Sequence, residues 1–353
     1  MTKSSTTWIN IGFRVLAVVL ALVFTSIILW VTKTSPIDAY SNILRGALGS
    51  FKGFSNVLVA WVPLLLATAG LLITFSTGLW NIGIEGQITM GAIFATGMLR
   101  MLQTTSLAPA AAIVMAFVAG AFGGAMWALL VGLLKNYGGV NEIFGGLGMN
   151  FVATALTLWL IFGPWKRPGT GSMSGTERFP NEYWLPQIEG LRLSPWSLAI
   201  GVLAILLVYF ILKGTYFGLR LKAVGKNIRA AYLLGVPTSR YTIIAFLLCG
   251  VFAGLAGSVQ VTGVYHQLIP SISSGYGFLG LLVAMLVNFQ PIWAALVALF
   301  FAMLNIGSIQ LPIVLKIDST LTGVLQGALV LFVILMEGAR RKFLQRKAGG
   351  SHG

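Results

Sequence analysis

Ten apolar runs divide this chain, and most are long enough to cross a lipid bilayer. They cover residues 11–31, 57–77, 82–99, 107–134, 142–162, 196–212, 241–263, 276–287, 292–309 and 320–336. A span needs ~20 mostly apolar residues, so an all-α integral membrane bundle is the expected fold. The eighth run is too short to cross fully. Composition agrees: 57% of residues are hydrophobic and 9% charged, against a charged share of roughly 25% in soluble domains. The 43 glycines suit helices that pack through small residues.

The net charge of +15 does not indicate nucleic-acid binding, because the basic residues lie mainly between the runs and at the C-terminus. The first run is too long for a cleaved signal and lacks a small-residue cleavage site, so it reads as a retained span. Ten spans put both termini on one side. With that side cytoplasmic, the inner segments hold Lys3, Arg14, Lys135, Lys213, Arg220, Lys222, Lys226, Arg229, Arg240 and the tail Arg340, Arg341, Lys342, Arg346, Lys347. The outer segments hold fewer cations and five of the acids: Asp38, Glu177, Glu182, Glu189 and Asp318. Positive-inside bias therefore orients the chain, chiefly through the 213–240 loop and the tail. The expected organisation is one transmembrane domain over 1–340, with an extracytoplasmic loop at 163–195, a cytoplasmic loop at 213–240 and a basic tail at 341–353. In the outer loop, Trp165, Trp184 and Trp196 read as interfacial anchors.

Catalytic and metal chemistry finds no support. The pattern G-x-x-x-x-G-K-[ST] is absent, so no ATP site is visible. His266 and His352 lack neighbours at ligand spacing, which argues against zinc. Cys249, the single cysteine, lies inside an apolar run and reads as a small buried hydrophobe. No nucleophile, base and orienter set can be assembled.

Three polar constellations remain. Asn81, Glu85 and Gln87 interrupt the grease between two runs, in Gly78-Leu79-Trp80-Asn81-Ile82-Gly83-Ile84-Glu85-Gly86-Gln87. Asn141, Glu142 and Asn150 form the second set. Both sets begin a span, where Asn caps free N–H groups and Glu is favoured by the helix dipole. They read either as caps or as a gate lining the inner half of a pathway, and a cap at a broken helix can be both. The third set is Gly225, Asn227, Arg229, Ala230, Ala231 and Gly235. The 220–234 stretch is helix-capable, Gly235 would end the helix, and the Ala230-Ala231 pair would allow another protein close contact. Small residues recur at Gly120, Gly124, Ala128 and Gly132, and again at Gly250, Ala253, Gly254 and Gly257, as helix-packing faces.

These motifs resemble those of a known family. Asn81-Ile82-Gly83-x-Glu85-Gly86-Gln87 resembles the N-I-G-x-E-G-Q signature of permease subunits of bacterial ABC importers for nucleosides and simple sugars, in the broad branched-chain amino acid and ribose permease family. Gly139-Val140-Asn141-Glu142 with Met149-Asn150 is similar to the signature of the nucleoside branch, although Phe144-Gly145-Gly146-Leu147-Gly148 departs from its usual filling. Ala223-Val224-Gly225-x-Asn227-x-x-Ala230-Ala231-x-x-x-Gly235 resembles the family's coupling loop, with Arg229 in place of Glu. Gly275-Tyr276-Gly277-Phe278-x-Gly280 and Gln326-Gly327 fit as well. The resemblance implies the ABC importer permease fold with about ten transmembrane helices and a cytoplasmic coupling helix. It implies transport of nucleosides by alternating access, with ribose or another simple sugar as the alternative. The implied partners are a second, related permease chain, a cytoplasmic ATPase with two nucleotide-binding halves that holds ATP and Mg, and an extracytoplasmic substrate-binding lipoprotein, all at the bacterial cell membrane. No cofactor is implied in this chain. An ion-coupled secondary transporter would need carboxylates at mid-depth, whereas Glu85 and Glu142 lie near the ends of runs.

Overall fold

Every one of the ten apolar runs forms a helix. The computed structural model describes residues 3–169, 175–287, 290–316 and 320–349. The chain folds as α1 (Lys3–Val31), α2 (Pro36–Leu48), α3 (Phe51–Ser76), α4 (Ile84–Leu102), α5 (Pro109–Asn136), α6 (Glu142–Phe162), α7 (Pro195–Gly214), α8 (Tyr216–Lys226), α9 (Ile228–Leu233), α10 (Thr238–Val259), α11 (Tyr276–Leu286), α12 (Pro291–Gly307), α13 (Gln310–Leu315) and α14 (Leu321–Gly349). A π-helical turn, Gln260–Tyr265, prolongs α10.

The expected count of ten spans is not reached by length and apolarity. Among the described residues, seven helices qualify, or up to eight if the bent pair formed by α1 and α2 is one span. Two of the ten runs fall short for different reasons. Helix α11 has 11 residues, or about 16 Å at 1.5 Å per residue, half of the ~30 Å hydrocarbon core. Helix α4 has 19 residues but carries Glu85, Gln87 and Arg100. Its polar groups are tolerated because most of the helix is buried by protein, so it does not need a lipid-compatible surface.

The helices group into two units, Met1–Val57 with Met303–Gly353, and Leu58–Ala302. In the first unit, α1 lies along α14, and Phe24 meets Phe332 edge-on at 5.7 Å. Helix α2 turns away from α1 by 111°. The segment falls between two of the ten apolar runs. Yet Ser35 accepts the Asp38 N–H at 3.4 Å as N-cap, and Pro36 occupies the first turn, a recognisable helix start. The helix buries Ala39, Ile43 and Ala47 at four-residue spacing. Beside them Gly307 touches the Ile43 carbonyl so closely that a Cβ there would overlap it.

The second unit is built on glycine. Helices α4, α5 and α10 touch backbone to backbone. A Cβ at Gly254 would overlap the Gly120 carbonyl, one at Gly250 would overlap that of Gly124, and one at Gly257 would overlap that of Ile88. Gly91 meets the Gly254 Cα just as closely. The small-residue faces read from α5 and α10 therefore face each other, with α4 as the third member. Such proximity gains dispersion contacts along the whole length of each helix, which drives association where no hydrophobic force acts between helices.

The segment 163–195 is not a free loop. Thr176 and Phe179 N–H groups donate to the Leu268 and His266 carbonyls, each at 2.9 Å, and Leu185 N–H donates to Thr262 at 3.0 Å. Phe179, Tyr183 and Leu185 are buried. Trp184 stacks on His266 at 3.6 Å with rings 7° apart, and its indole N–H donates to the Phe179 carbonyl. Trp165 lies beneath the Arg100 guanidinium at 5.6 Å, while Trp196 is exposed. The interfacial-anchor reading thus suits Trp196 better than its two companions. Residues 170–174 lie outside the described residues.

His266 follows the last turn of the span and is neutral. Burial chiefly pushes its imidazole down to about 4, and the nearby Arg192 and Arg178 add to this. The unfolded chain takes up the proton first, near the ordinary value of ~6.5. Stability from this site is therefore full above about pH 6.5 and is lost as pH falls towards 4. We expect protease cleavage within 175–193 to rise over that window. A His266→Phe variant, which keeps a flat ring against Trp184, should show no such rise. Equal acid sensitivity in both would assign the effect to another group.

Candidate functional site

Four of the polar residues singled out in the sequence, Asn81, Glu85, Gln87 and Asn150, meet on one short segment, 77–87, which connects α3 to α4. It is held from four directions. The first hold is internal. Gly78 adopts a left-handed conformation, φ 75°, and turns the chain so that Asn81 enters the protein. Asn81 Nδ2 donates to Gln87 Oε1 at 3.0 Å, and Gln87 Nε2 donates back to Asn81 Oδ1 at 2.9 Å. Both side chains are fully buried, and Asn81 Nδ2 also meets Cys249 Sγ of α10 at 3.0 Å. Burying two amides is tolerable because each satisfies the other.

The second hold comes from α6. Asn150 Oδ1 accepts the Gly86 N–H at 2.8 Å, and its Nδ2 donates to the Ile82 carbonyl at 2.9 Å. The fit needs glycine: a Cβ at Gly86 would stand 2.9 Å from Asn150 Oδ1, and one at Gly83 would stand 3.1 Å from the Gly146 Cα. Gly146, within the Phe144–Gly148 stretch that departs from the usual filling, is therefore where α6 approaches the 77–87 backbone.

The third hold is from α11. Glu85, buried in the first turn of α4, accepts the Phe278 N–H through Oε1 at 2.9 Å. The fourth is from the end of α8, where Gly225 lies against the Ser76 carbonyl and 3.0 Å separates its would-be Cβ from the Gly78 nitrogen. Residues from four of the sequence motifs, Asn81–Gln87, Asn150, Gly225 and Gly277-Phe278, thus meet in one three-dimensional cluster.

Asn141 and Glu142 stand apart from that cluster. Asn141 is exposed and caps α6, accepting the Ile143 N–H at 2.8 Å. Glu142 pairs with Lys135 at 2.6 Å, closing the turn between α5 and α6. Their geometry is that of a cap. Asn81 caps nothing, since Gly83 occupies the N-cap of α4.

The 213–240 loop holds two helices where one was expected between Arg220 and Leu234. The break is at Asn227, whose backbone is extended, φ −159° and ψ 104°. Its side chain accepts the Ala230 N–H at 3.0 Å and starts α9. The far end closes as expected: Gly235 takes φ 80°, its N–H donates to Tyr232, and Val236 N–H donates to Ala231. These are the paired bonds of a glycine-terminated helix. Ala231 is buried and Ala230 exposed. The outward side of α9 and its cap is Tyr232, Leu233 and Leu234, at 70%, 84% and 82% exposure. Sequence reasoning passed over these three, although Leu233-Leu234 beside a helix-ending glycine in a basic loop is the signal that finds them.

Comparison with known proteins places these features. A family described as "Branched-chain amino acid transport system / permease component" matches residues 53–334, which contain all four motifs. The glucose ABC transporter permease protein TsgB13 of Haloferax volcanii is 31% identical over 344 residues, covering 95% of this chain and 90% of that one. The guanosine ABC transporter permease protein NupP of Bacillus subtilis is 27% identical over 324 residues, covering 90% and 91%. A second guanosine ABC transporter permease protein of that organism, NupQ, is 30% identical over 258 residues, covering 69% and 77%. The chain belongs to the branched-chain amino acid transport system permease-component family: it is a multi-pass membrane subunit of an ABC transporter, with ATP hydrolysis carried by a separate ATPase.

Proposed function

We propose that this subunit imports nucleosides across the cell membrane by alternating access, as one of two unlike permeases in the complex. The observation that carries the reading is the α8–α9 loop. It presents a capped six-residue helix that packs on α8 and α10 through Ala231 and leaves Tyr232, Leu233 and the adjoining Leu234 exposed, and the end of α8 rests on the 77–87 cluster. On this reading the loop faces the cytoplasm, as do both termini, and α9 docks into the ATPase. Gly225, Asn227, Arg229, Ala230, Ala231 and Gly235 shape that contact, with Ala231 on its inner side. The 163–195 segment faces outward and receives a substrate-binding lipoprotein on its exposed charges, Glu177, Arg178, Glu182 and Glu189. Asn81, Glu85, Gln87, Asn141, Glu142 and Asn150 act at the inner mouth of the pathway by holding helices in register. The two guanosine permeases of one organism, both similar to this chain, support pairing with an unlike partner.

A second reading has a specific support: the relative at 31% identity is a glucose permease. Both substrate classes are polyhydroxylated rings, which a largely apolar cavity orients with a few hydrogen bonds. Liposomes holding the reconstituted complex decide between them. With ATP at the ATPase side and all ion gradients collapsed, labelled guanosine should enter, and excess unlabelled glucose or ribose should not compete. Competition by glucose alone would transfer the assignment to sugars. Uptake by this chain alone, driven by an imposed proton or sodium gradient, would overturn the ABC mechanism.

A further inference from the structure

Helix α11 has no cap of its own. Its N-cap is Gly275, in a left-handed conformation, φ 73°, with no side chain to offer its first N–H groups. Of the serines before it, Ser274 is engaged elsewhere, its hydroxyl meeting Tyr265 Oη at 2.9 Å and accepting from Gln260 Nε2 at 3.2 Å, while the Ser273 side chain is itself bonded to Glu85. The missing acceptor is supplied from another helix by Glu85. A carboxyl oxygen at a helix N-terminus satisfies an orphan N–H. Here it stands at two such ends, since Glu85 also occupies the first turn of α4. Gly277 makes room, because a Cβ there would stand 3.0 Å from Glu85 Oε1 and 2.8 Å from Ile84 Cγ2.

We propose that Glu85 is a positioning residue that ties the half-span α11, and the Ser271–Gly275 stretch leading into it, to the movement of the α8–α9 loop. The connection is contiguous. Gly225 at the end of α8 rests on Ser76 and Gly78, the 77–87 segment is stiffened by the Asn81–Gln87 pair, and Glu85 on that segment holds the first turn of α11. On the other side α11 is seated closely on α3, where a Cβ at Gly280 would stand 3.2 Å from Leu71. Phe278 remains half exposed at the tip. A displacement of α8 is thereby delivered to the start of an 11-residue helix, about half the length of a full span and so able to shift without dragging one. This inference rests on the coupling reading given above. It assigns Glu85 to transmission, as distinct from contact with substrate.

Two measurements on the full chain test it. In nanodiscs, hydrogen exchange of a peptide covering 275–286 reads the cap without any transport. Glu85→Ala should speed exchange at the first turn of α11 by about tenfold, the upper end of the loss expected for one intramolecular hydrogen bond. Glu85→Gln keeps an acceptor oxygen and should stay near wild type. In the reconstituted complex, Glu85→Ala should lower substrate moved per ATP by about tenfold, with hydrolysis itself retained and KM for substrate unchanged, and Glu85→Gln should restore most of the ratio. Loss of folded protein with an unaltered ratio in the surviving complexes would make Glu85 a stabilising cap only. A changed KM or altered substrate preference in Glu85→Gln would put the carboxylate on the substrate. Either result overturns the proposal. If the wild-type complex fails to transport on ATP, the coupling reading itself falls, and the exchange result still decides whether Glu85 caps α11.

Discussion

Replacing Leu233 and Leu234 together with aspartate should reduce ATP-driven uptake by about a hundredfold, while the chain still inserts and folds. Leu233 of α9 and Leu234, which caps it, are the most exposed large apolar side chains of residues 228–236. Central apolar residues of a docking surface commonly account for a few kcal/mol of binding each, and burying a carboxylate in such a contact adds a further cost. The measurements are uptake into liposomes and co-purification of the ATPase with the permease. Ala230→Glu should act in the same direction, because Ala230 is also exposed. Ala231→Glu should behave differently and lower the amount of folded protein, since Ala231 is buried within the chain. If the double aspartate variant transports normally with the ATPase bound, α9 is not the docking element.

Gly254→Leu should prevent accumulation of folded protein altogether. The atoms that a side chain would strike are the Gly120 carbonyl oxygen and carbon of α5. Overpacking against side chains costs roughly 1–3 kcal/mol because rotamers yield. Backbone cannot yield without moving a whole helix, so a cost above about 4 kcal/mol is expected. Gly323→Leu on α14 serves as the control, because a Cβ there meets nothing within 4 Å. Fluorescence-detected size-exclusion of the two variants gives the comparison. A monodisperse Gly254→Leu protein at wild-type yield would show that α5 and α10 are not in backbone contact.

Much of this protein is legible along the chain because the bilayer imposes a one-dimensional code. A span must be apolar over a fixed length, and so the ten runs marked the helices. Caps are local as well. Asn141 at the start of α6 and Gly235 at the end of α9 act within four residues of themselves, so their roles follow from neighbours in sequence. Family membership was legible for a related reason: ordered motifs such as Asn81-Ile82-Gly83-x-Glu85-Gly86-Gln87 are contiguous strings. Helix α2 had the same kind of local signal in Ser35-Pro36 and was missed, because its apolar residues are too few for a membrane-length window.

The tertiary structure alone decided what those polar residues do. Glu85 lies 193 residues from Phe278, the N–H it accepts, and Asn150 lies 68 residues from the Ile82 carbonyl it holds. No periodicity or propensity relates such positions, because the bond exists only after helices pack. The side of α9 on which each alanine falls has the same origin. Ala230 and Ala231 are adjacent and chemically identical, and only the packing of α8 and α10 against α9 turns one inward and leaves the other exposed. The small-residue faces of α5 and α10 were visible as patterns, but a pattern names no partner. Backbone-to-backbone contact among Gly91, Gly120 and Gly254 chose it, since these surfaces are bare enough to meet without a side chain between them.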